Sequence, residues 1–281
     1  MAPKGLYLRF PDGKAKALTF SYDDGVKEDM RLAELFKSKG LKCTFNLNSA
    51  LIPFCEEDNK GRVHPKLTLD ELKELFKDEQ FEVACHSATH PMLTSCTDSV
   101  VLDEVLSDRK TLEENFGRIV KGMAYPYGPT DERVMGLLKS AGIVYSRVVT
   151  GTREFSLPDN WLEWHPTCHH KLPDMDNLIE RFLTDKPIRD AKLFYIWGHS
   201  YEFTDNDNWE VIEKIAEKLS GRNDVFYGTN MEIYKAVENF KRLEFSADGK
   251  MVYNPSAQTV WAAMQGMPAF KIEPLESVKL D

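Results

Sequence analysis

Cysteine is scarce in this 281-residue chain: five residues, at 43, 55, 85, 96 and 168, an odd number with no CxxC pair among them. Neither a disulfide framework nor a zinc knuckle is thereby suggested. Cys43 and Cys85 lie inside apolar runs and read as small core residues of a reducing compartment. No apolar stretch approaches the roughly 18 residues of a membrane span, and the opening MAPKGLYLRFPDGK has no run of signal-peptide length. The chain as it stands reads as soluble, with the cytoplasm as its expected location and no membrane as partner. Basic charge is also short. Lys and Arg number 36 against 45 Asp and Glu, a formal net charge of −9 with a pI near 5.4. Nucleic acid and anionic lipid both require a basic surface, so neither is expected as the main partner.

What is present suits a packed α/β protein. Hydrophobic residues make up 42% and charged residues 29%, an ordinary balance for a chain with a real core, and the length fits one large domain of the barrel type, commonly about 250 residues.

The stretch ALTFSYDDG, Ala17 to Gly25, organises the rest. Leu18, Phe20 and Tyr22 alternate with smaller residues, which predicts a buried strand with one bulky face. Two carboxylates, Asp23 and Asp24, and a turn glycine end it. Alone, Asp-Gly is a turn that introduces the next helix. A second polar cluster, His86-Ser-Ala-Thr-His90, follows another short apolar strand, Phe81 to Cys85. An aspartate with two histidines four residues apart suits a first-row divalent metal that keeps an open position for water.

Strand and helix patterns then alternate. Helices are expected over Val26–Lys39, from Thr68 (a capping box with Glu71) through Phe76, from an Asp98 cap through Phe116, and over Asp131–Ala141, Asp176–Leu183, Trp209–Leu219 and Met231–Phe240. Strands are expected over Lys42–Asn48, Phe81–Cys85, Lys121–Tyr125, Ile143–Arg147, Lys192–Gly198 and Asp224–Tyr227. A long Trp-, His- and Pro-rich segment runs from Val148 to Pro173. Strand followed by helix about seven times is the pattern of an irregular (β/α)7-type barrel, whose chemistry gathers at the C-terminal strand ends. The expected catalytic unit is residues 1–240. Residues 241–281 read as a small β appendage, a hairpin around ADGK with further strands near Val260–Ala262 and Phe270–Ile272.

SYDDG, HSATH, YPYG and WGHSYE, in that order across residues 16 to 235, resemble the motifs of the polysaccharide deacetylase family, carbohydrate esterase family 4. The resemblance implies a metal-dependent hydrolase that removes acetyl groups from an acetylated carbohydrate, on an irregular barrel of seven or eight βα units. It implies Asp23 as catalytic base, Asp24, His86 and His90 as metal ligands, the Tyr127 backbone N–H as oxyanion donor and His199 as general acid. The implied cofactor is a divalent metal ion, Zn2+ first, with Co2+, Mn2+ or Ni2+ as alternatives.

Two departures stand out. Where the family carries an arginine beside its base this chain has Ala124, and Arg147 at the end of the next strand is the candidate to supply that charge. No D-x-x-D-W motif occurs, and Trp161 and Trp164 in LPDNWLEWHPTCHH are the candidates for its sugar-facing wall. Of His165, His169 and His170, His169 is the candidate to meet substrate. The departures keep two other functions open: a metal-dependent hydrolase of a small non-sugar amide on the same scaffold, and a non-catalytic carbohydrate-binding protein.

Overall fold

The computed structural model describes residues 5–280. Strand β1 (Leu6–Arg9) precedes an alternation that starts with β2 (Lys16–Asp23), α1 (Glu28–Ser38), β3 (Cys43–Leu47), α2 (Leu69–Leu75), β4 (Phe81–Cys85) and α3 (Asp98–Phe116). It continues with β5 (Gly122–Ala124), α4 (Glu132–Ser140), β6 (Tyr145–Arg147), β7 (Cys168–His169), α5 (Met175–Thr184) and β8 (Lys192–Gly198). Then come α6 (Tyr201–Asp205), α7 (Glu210–Leu219), β9 (Val225–Tyr227) and α8 (Asn230–Lys241). Five short strands close the chain: β10 (Glu244–Phe245), β11 (Met251–Tyr253), β12 (Val260–Met264), β13 (Phe270–Ile272) and β14 (Ser277–Lys279).

Strands β6-β5-β4-β3-β2-β8-β7 form one parallel path, and β9 pairs with the beginning of β2. The path curls into a barrel with helices outside. Trp164 joins its two edges, since its N–H donates to the Ser146 carbonyl and its own carbonyl accepts from Val148 N, while β7 a few residues on pairs with β8.

Every residue of β2 is buried, as expected of a parallel strand covered on both faces. Leu18, Phe20 and Tyr22 turn outward to α1, where Phe20 meets Phe36 at 4.6 Å. The smaller face is polar and hydrogen-bonded inside the barrel: Thr19 donates to Asn230, and Ser21 accepts from Asn46. Bulky residues thus build the helix-covered shell, and small polar ones leave room in the lumen.

Local chemistry sets the helix starts. Thr68 and Glu71 form the expected capping box on α2, and Asp131 caps α4 by accepting from Val134 N at 2.7 Å. Asp98 does not cap α3; it is the first helical residue, and Thr97 holds the flanking position. The segment from Val148 to Pro173 is less irregular than its composition suggests, because neighbouring strands supply the pairing that creates β7.

The C-terminal strands form two antiparallel sheets, β10-β11-β14 and β1-β12-β13. The hairpin around ADGK is present, and so are strands at Val260 and Phe270. The N-terminal strand completes the second sheet through pairs such as Leu8 with Ala262. Among the described residues all five cysteines are free, and no helix is long and apolar enough to cross a membrane.

Candidate active site

The ends of β2, β4, β5, β6 and β8 carry the side chains of the site. β2 ends in Asp23, which is 2% exposed. Its Oδ1 accepts from Asn46 Nδ2 at 2.8 Å, and its Oδ2 accepts from Arg147 Nη2. The Arg147 guanidinium is fully buried and lies 4.2 Å over the Trp197 ring. Arg147 is the register partner of Ala124 on the adjacent strand, so the two side chains share a face. A small residue on β5 leaves space that a long one on β6 fills. The charge missing from position 124 therefore reaches Asp23 from one strand further along.

Burial alone would push the Asp23 carboxyl up, but Arg147, helped by His86 and His199, outweighs burial and holds it below the ordinary aspartate value. Asp23 is a buried carboxylate, not a carboxylic acid.

Asp24, His86 and His90 come together, with one potential ligand atom from each lying within 4.8 Å of the other two. His86 Nδ1 stands 2.8 Å from the Ala124 carbonyl, which only accepts. Nδ1 therefore carries the proton and Nε2 turns a lone pair into the site, facing His90 Nε2 at 3.1 Å. Burial pulls His86 down to about 4 and also lowers His90, so both imidazoles are neutral at physiological pH. A pair of neutral imidazoles beside a carboxylate is what a divalent cation requires, and these residues fit one. His86 Nε2 approaches Asp23 Oδ2 at 4.0 Å, which for a neutral ring is a contact and not an ion pair.

The loops holding these groups adopt costly backbone conformations. Asp24 (φ 83°), Ser87 (φ 60°), His90 (φ 64°) and Tyr127 (φ 61°) all lie in the left-handed region. Such strain persists where surroundings over-determine the chain, and it clusters at functional sites. Asp108 supplies part of that constraint, accepting from Ser49 N at 2.8 Å and His86 N at 3.0 Å. Gly128 follows Tyr127 at φ 94°, where a Cβ would sit 2.4 Å from Val149. The Tyr127 ring is 61% exposed and meets His90 edge-on at 4.6 Å.

His199 follows β8. Its Nε2 lies 3.9 Å from Asp23 Oδ2 and 4.0 Å from Asp24 Oδ2, and its Nδ1 lies 3.5 Å from Glu202 Oε1. Burial works to lower the imidazole, yet the Glu202 carboxylate and the two aspartates outweigh it and raise its pKa above the ordinary histidine value. Glu202 also faces His169 Nε2 at 3.2 Å, His170 Nε2 at 2.9 Å and Lys171 Nζ at 3.4 Å. Burial opposes its ionisation, but the three histidines beside it hold it far below the usual glutamate range.

His169, His170 and Glu202 are also close enough to hold an ion. Their protons are already placed, however. His169 Nδ1 accepts from Lys171 N–H at 3.1 Å, so its Nε2 carries the hydrogen. His170 Nδ1 meets the Tyr22 hydroxyl at 3.2 Å. Around Glu202 the trio is a set of close approaches, in which His170 Nε2 and Glu202 Oε2 are buried without a hydrogen-bond partner. Gly198 makes room for it, since a Cβ there would lie 2.0 Å from His170 Nδ1.

The remaining expectations divide. His169 lies at the site, its ring 4.6 Å from Trp197. His165 is exposed and bonds the Thr150 carbonyl, away from the others. Trp161 and Trp164 do not form a sugar-facing wall. Trp164 is 1% exposed and packs on Tyr145 and Tyr195, and Trp161 packs on Trp164 and gives its Nε1–H to Glu238 on α8. Their size and the pairing of Trp164 with β6 make them core. Sequence reasoning missed Glu202, Trp197 and Lys66. Glu202 had a signal, three residues beyond His199 in a short helix; Lys66 had none, because only tertiary pairing brings its Nζ to the Asp24 carbonyl at 2.6 Å.

Fold and site together define a class: parallel α/β barrels that carry their chemistry on the loops following the strands. Within that class, residues 11–146 match the family model described as polysaccharide deacetylase. That match covers just under half of the chain and falls on the family that its motifs resemble. No curated protein sequence matches it. Its structure is similar to that of a Mycobacterium smegmatis protein provisionally described as a polysaccharide deacetylase, at 14% identity over 86% of this chain and 96% of that one, with a TM-score of 0.58. That likeness concerns the fold. Streptococcus pyogenes deacetylase PplD, in complex with acetate, matches at 20% identity and a TM-score of 0.41, covering 47% of this chain and 55% of that one. The chain thus spans about half the length of that relative. A CE4 family pseudoenzyme from Bacillus anthracis matches at 20% identity over 83% of this chain and 69% of that one, with a TM-score of 0.47.

Proposed function

We propose that the chain is a metal-dependent hydrolase that removes acetyl groups from a carbohydrate, with Asp24, His86 and His90 holding the cation. Two imidazoles and one carboxylate favour Zn2+. One observation carries the reading. A buried carboxylate and a raised imidazole, 3.9 Å apart, stand beside a neutral histidine pair and a third ligand. When bound, the cation supplies Lewis acidity, bringing the pKa of water from about 15.7 towards 7 and polarising an acyl carbonyl.

The protein's own groups do the rest. Asp23, ionised and fixed by Arg147 and Asn46, takes the proton from the attacking water and aims its lone pair. The Tyr127 N–H donates to the oxygen that becomes negative in the tetrahedral intermediate; losing one such donor typically costs about 2.7–4 kcal/mol. Glu202 and both aspartates face His199 and raise its affinity for a proton, which it delivers to the departing sugar nitrogen or oxygen. An amine expelled without protonation is a very poor leaving group. Acetate and the deacetylated sugar result.

The test couples metal content with acetate release from acetylated oligosaccharides. Asp23→Asn is expected to bind one Zn2+ per chain and lose turnover, whereas His86→Ala loses both. An Asp23→Asn protein that releases acetate at the native rate refutes the base, and a wild-type protein that retains no divalent ion refutes the metal centre.

A further inference from the structure

The β3–α2 connection sends one short stretch over the site. Lys27 N–H donates to the Pro65 carbonyl at 2.9 Å, Leu67 N–H donates to the Gly25 carbonyl at 2.8 Å, and Val26 pairs antiparallel with Lys66. Lys66 is thereby fixed beside Asp24, and His64 stands in the bend that precedes it. His64 stacks on Tyr201 with ring centres 3.9 Å apart and planes at 21°, and its Nε2 lies 3.8 Å from Asp205. Lys66 Nζ donates to the Asp24 carbonyl at 2.6 Å and lies 3.7 Å from Asp24 Oδ1.

Tyr201 also packs against His199, with ring centres 5.1 Å apart. Burial and then the charges of Asp24, Glu202 and Asp23 raise its phenol, so the hydroxyl is a hydrogen-bond donor at every pH at which the protein works. No protein group takes that hydrogen among the described residues. The Lys66 ammonium has three hydrogens and places one on the Asp24 carbonyl. Two fixed donors therefore stand at the edge of the metal-ligand cluster with capacity unspent, and neither belongs to the mechanism above. A polyhydroxylated ring offers acceptors at that place; an acetyl group on an apolar carrier does not.

We propose that Tyr201 and Lys66 are the specificity-determining donors of this site, that they bind the hydroxyl oxygens flanking the acylated position of a sugar ring, and that His64 positions Tyr201 for the task. The inference deepens the deacetylase reading and rests on it for the position of the acyl group. A site built to hydrogen-bond a substrate hydroxyl discriminates strongly against analogues that lack it.

The experiment compares the zinc-loaded wild type with Tyr201→Phe, Lys66→Met and His64→Ala at equal metal content and matched melting curves. Substrates are tri-N-acetylchitotriose and 4-nitrophenyl acetate, which has no ring hydroxyl. Tyr201→Phe and Lys66→Met are each expected to raise KM for the trisaccharide at least tenfold. Their loss in kcat/KM on the sugar exceeds that on the aryl ester by the same factor, and His64→Ala reproduces part of the Tyr201→Phe effect. Equal losses on the two substrates overturn the proposal. If the wild type releases no acetate from the trisaccharide, the deacetylase reading fails on that sugar and calorimetric binding decides the inference. Wild-type binding weakened tenfold in both variants sustains it, and absent or unchanged binding overturns it.

Discussion

Replacing Arg147 with methionine isolates the ion pair on which the site is built. The Arg147 side chain is fully buried and that of Asp23 is 3% exposed, so their charges are shielded from solvent. Without the guanidinium, Asp23 keeps one amide hydrogen bond, from Asn46 at 2.8 Å, and a histidine at 3.9 Å. His86 offers no charge, being neutral above about pH 4. Removing one partner of a buried pair costs about 3–5 kcal/mol, because the other is left uncompensated. At about 2 °C per kcal/mol for a chain of this size, the expected loss in melting temperature is roughly 6–10 °C. Adding Asp23→Asn to Arg147→Met removes the stranded charge and is expected to restore most of that loss, since a pair replaced on both sides is often nearly neutral. Urea unfolding of the four proteins in the cycle measures the coupling. The reasoning is refuted if Arg147→Met unfolds within about 1 kcal/mol of wild type, or if the double variant is no more stable than Arg147→Met alone.

Two other expectations concern leaving groups and pH. His199→Ala should slow hydrolysis of acetylated amino sugars far more than that of 4-nitrophenyl acetate, whose leaving group needs no proton; equal losses would make His199 a positional residue. Asp29 on α1 is buried, takes a hydrogen bond from Ser200 at 2.6 Å, and is pushed by burial to about 8. Its carboxyl is protonated in the fold and ionised in the unfolded chain between its ordinary value of 3.8 and about 8. Its contribution to stability is therefore complete below 3.8 and is withdrawn as the pH rises to about 8. Asp29→Asn never ionises, so its melting temperature should gain on wild type between pH 5 and pH 8.5; a constant difference over that range would show that Asp29 does not titrate as described.

Much of this architecture was legible in the amino-acid order, for physical reasons. Phe81–Cys85 and Lys192–Gly198 read as strands because both are short, largely apolar runs in a sheet buried on two faces. Asp23, Asp24, His86, His90 and His199 stood out because each follows such a run. The two residues of β7 could not be read, because their pairing comes from β8 and not from any periodicity of their own. Trp161 and Trp164 misled for a related reason: a tryptophan beside histidines suggests a binding wall, and only the bond from Trp164 N to Ser146 reveals it as a closure of the barrel. His64 and Lys66 carry no local mark at all, since the antiparallel contact with Gly25–Lys27 exists only after folding.

The register of β5 against β6 carries a lesson about signatures. Ala124 and Arg147 are 23 positions apart in the chain yet occupy adjacent rungs of one ladder, so the sheet treats them as interchangeable places from which to reach the same carboxylate. Scored letter by letter, the alanine counts as damage and invites filing this chain among defunct relatives. Scored by which rung faces the carboxylate, nothing has been lost; the cation has moved next door.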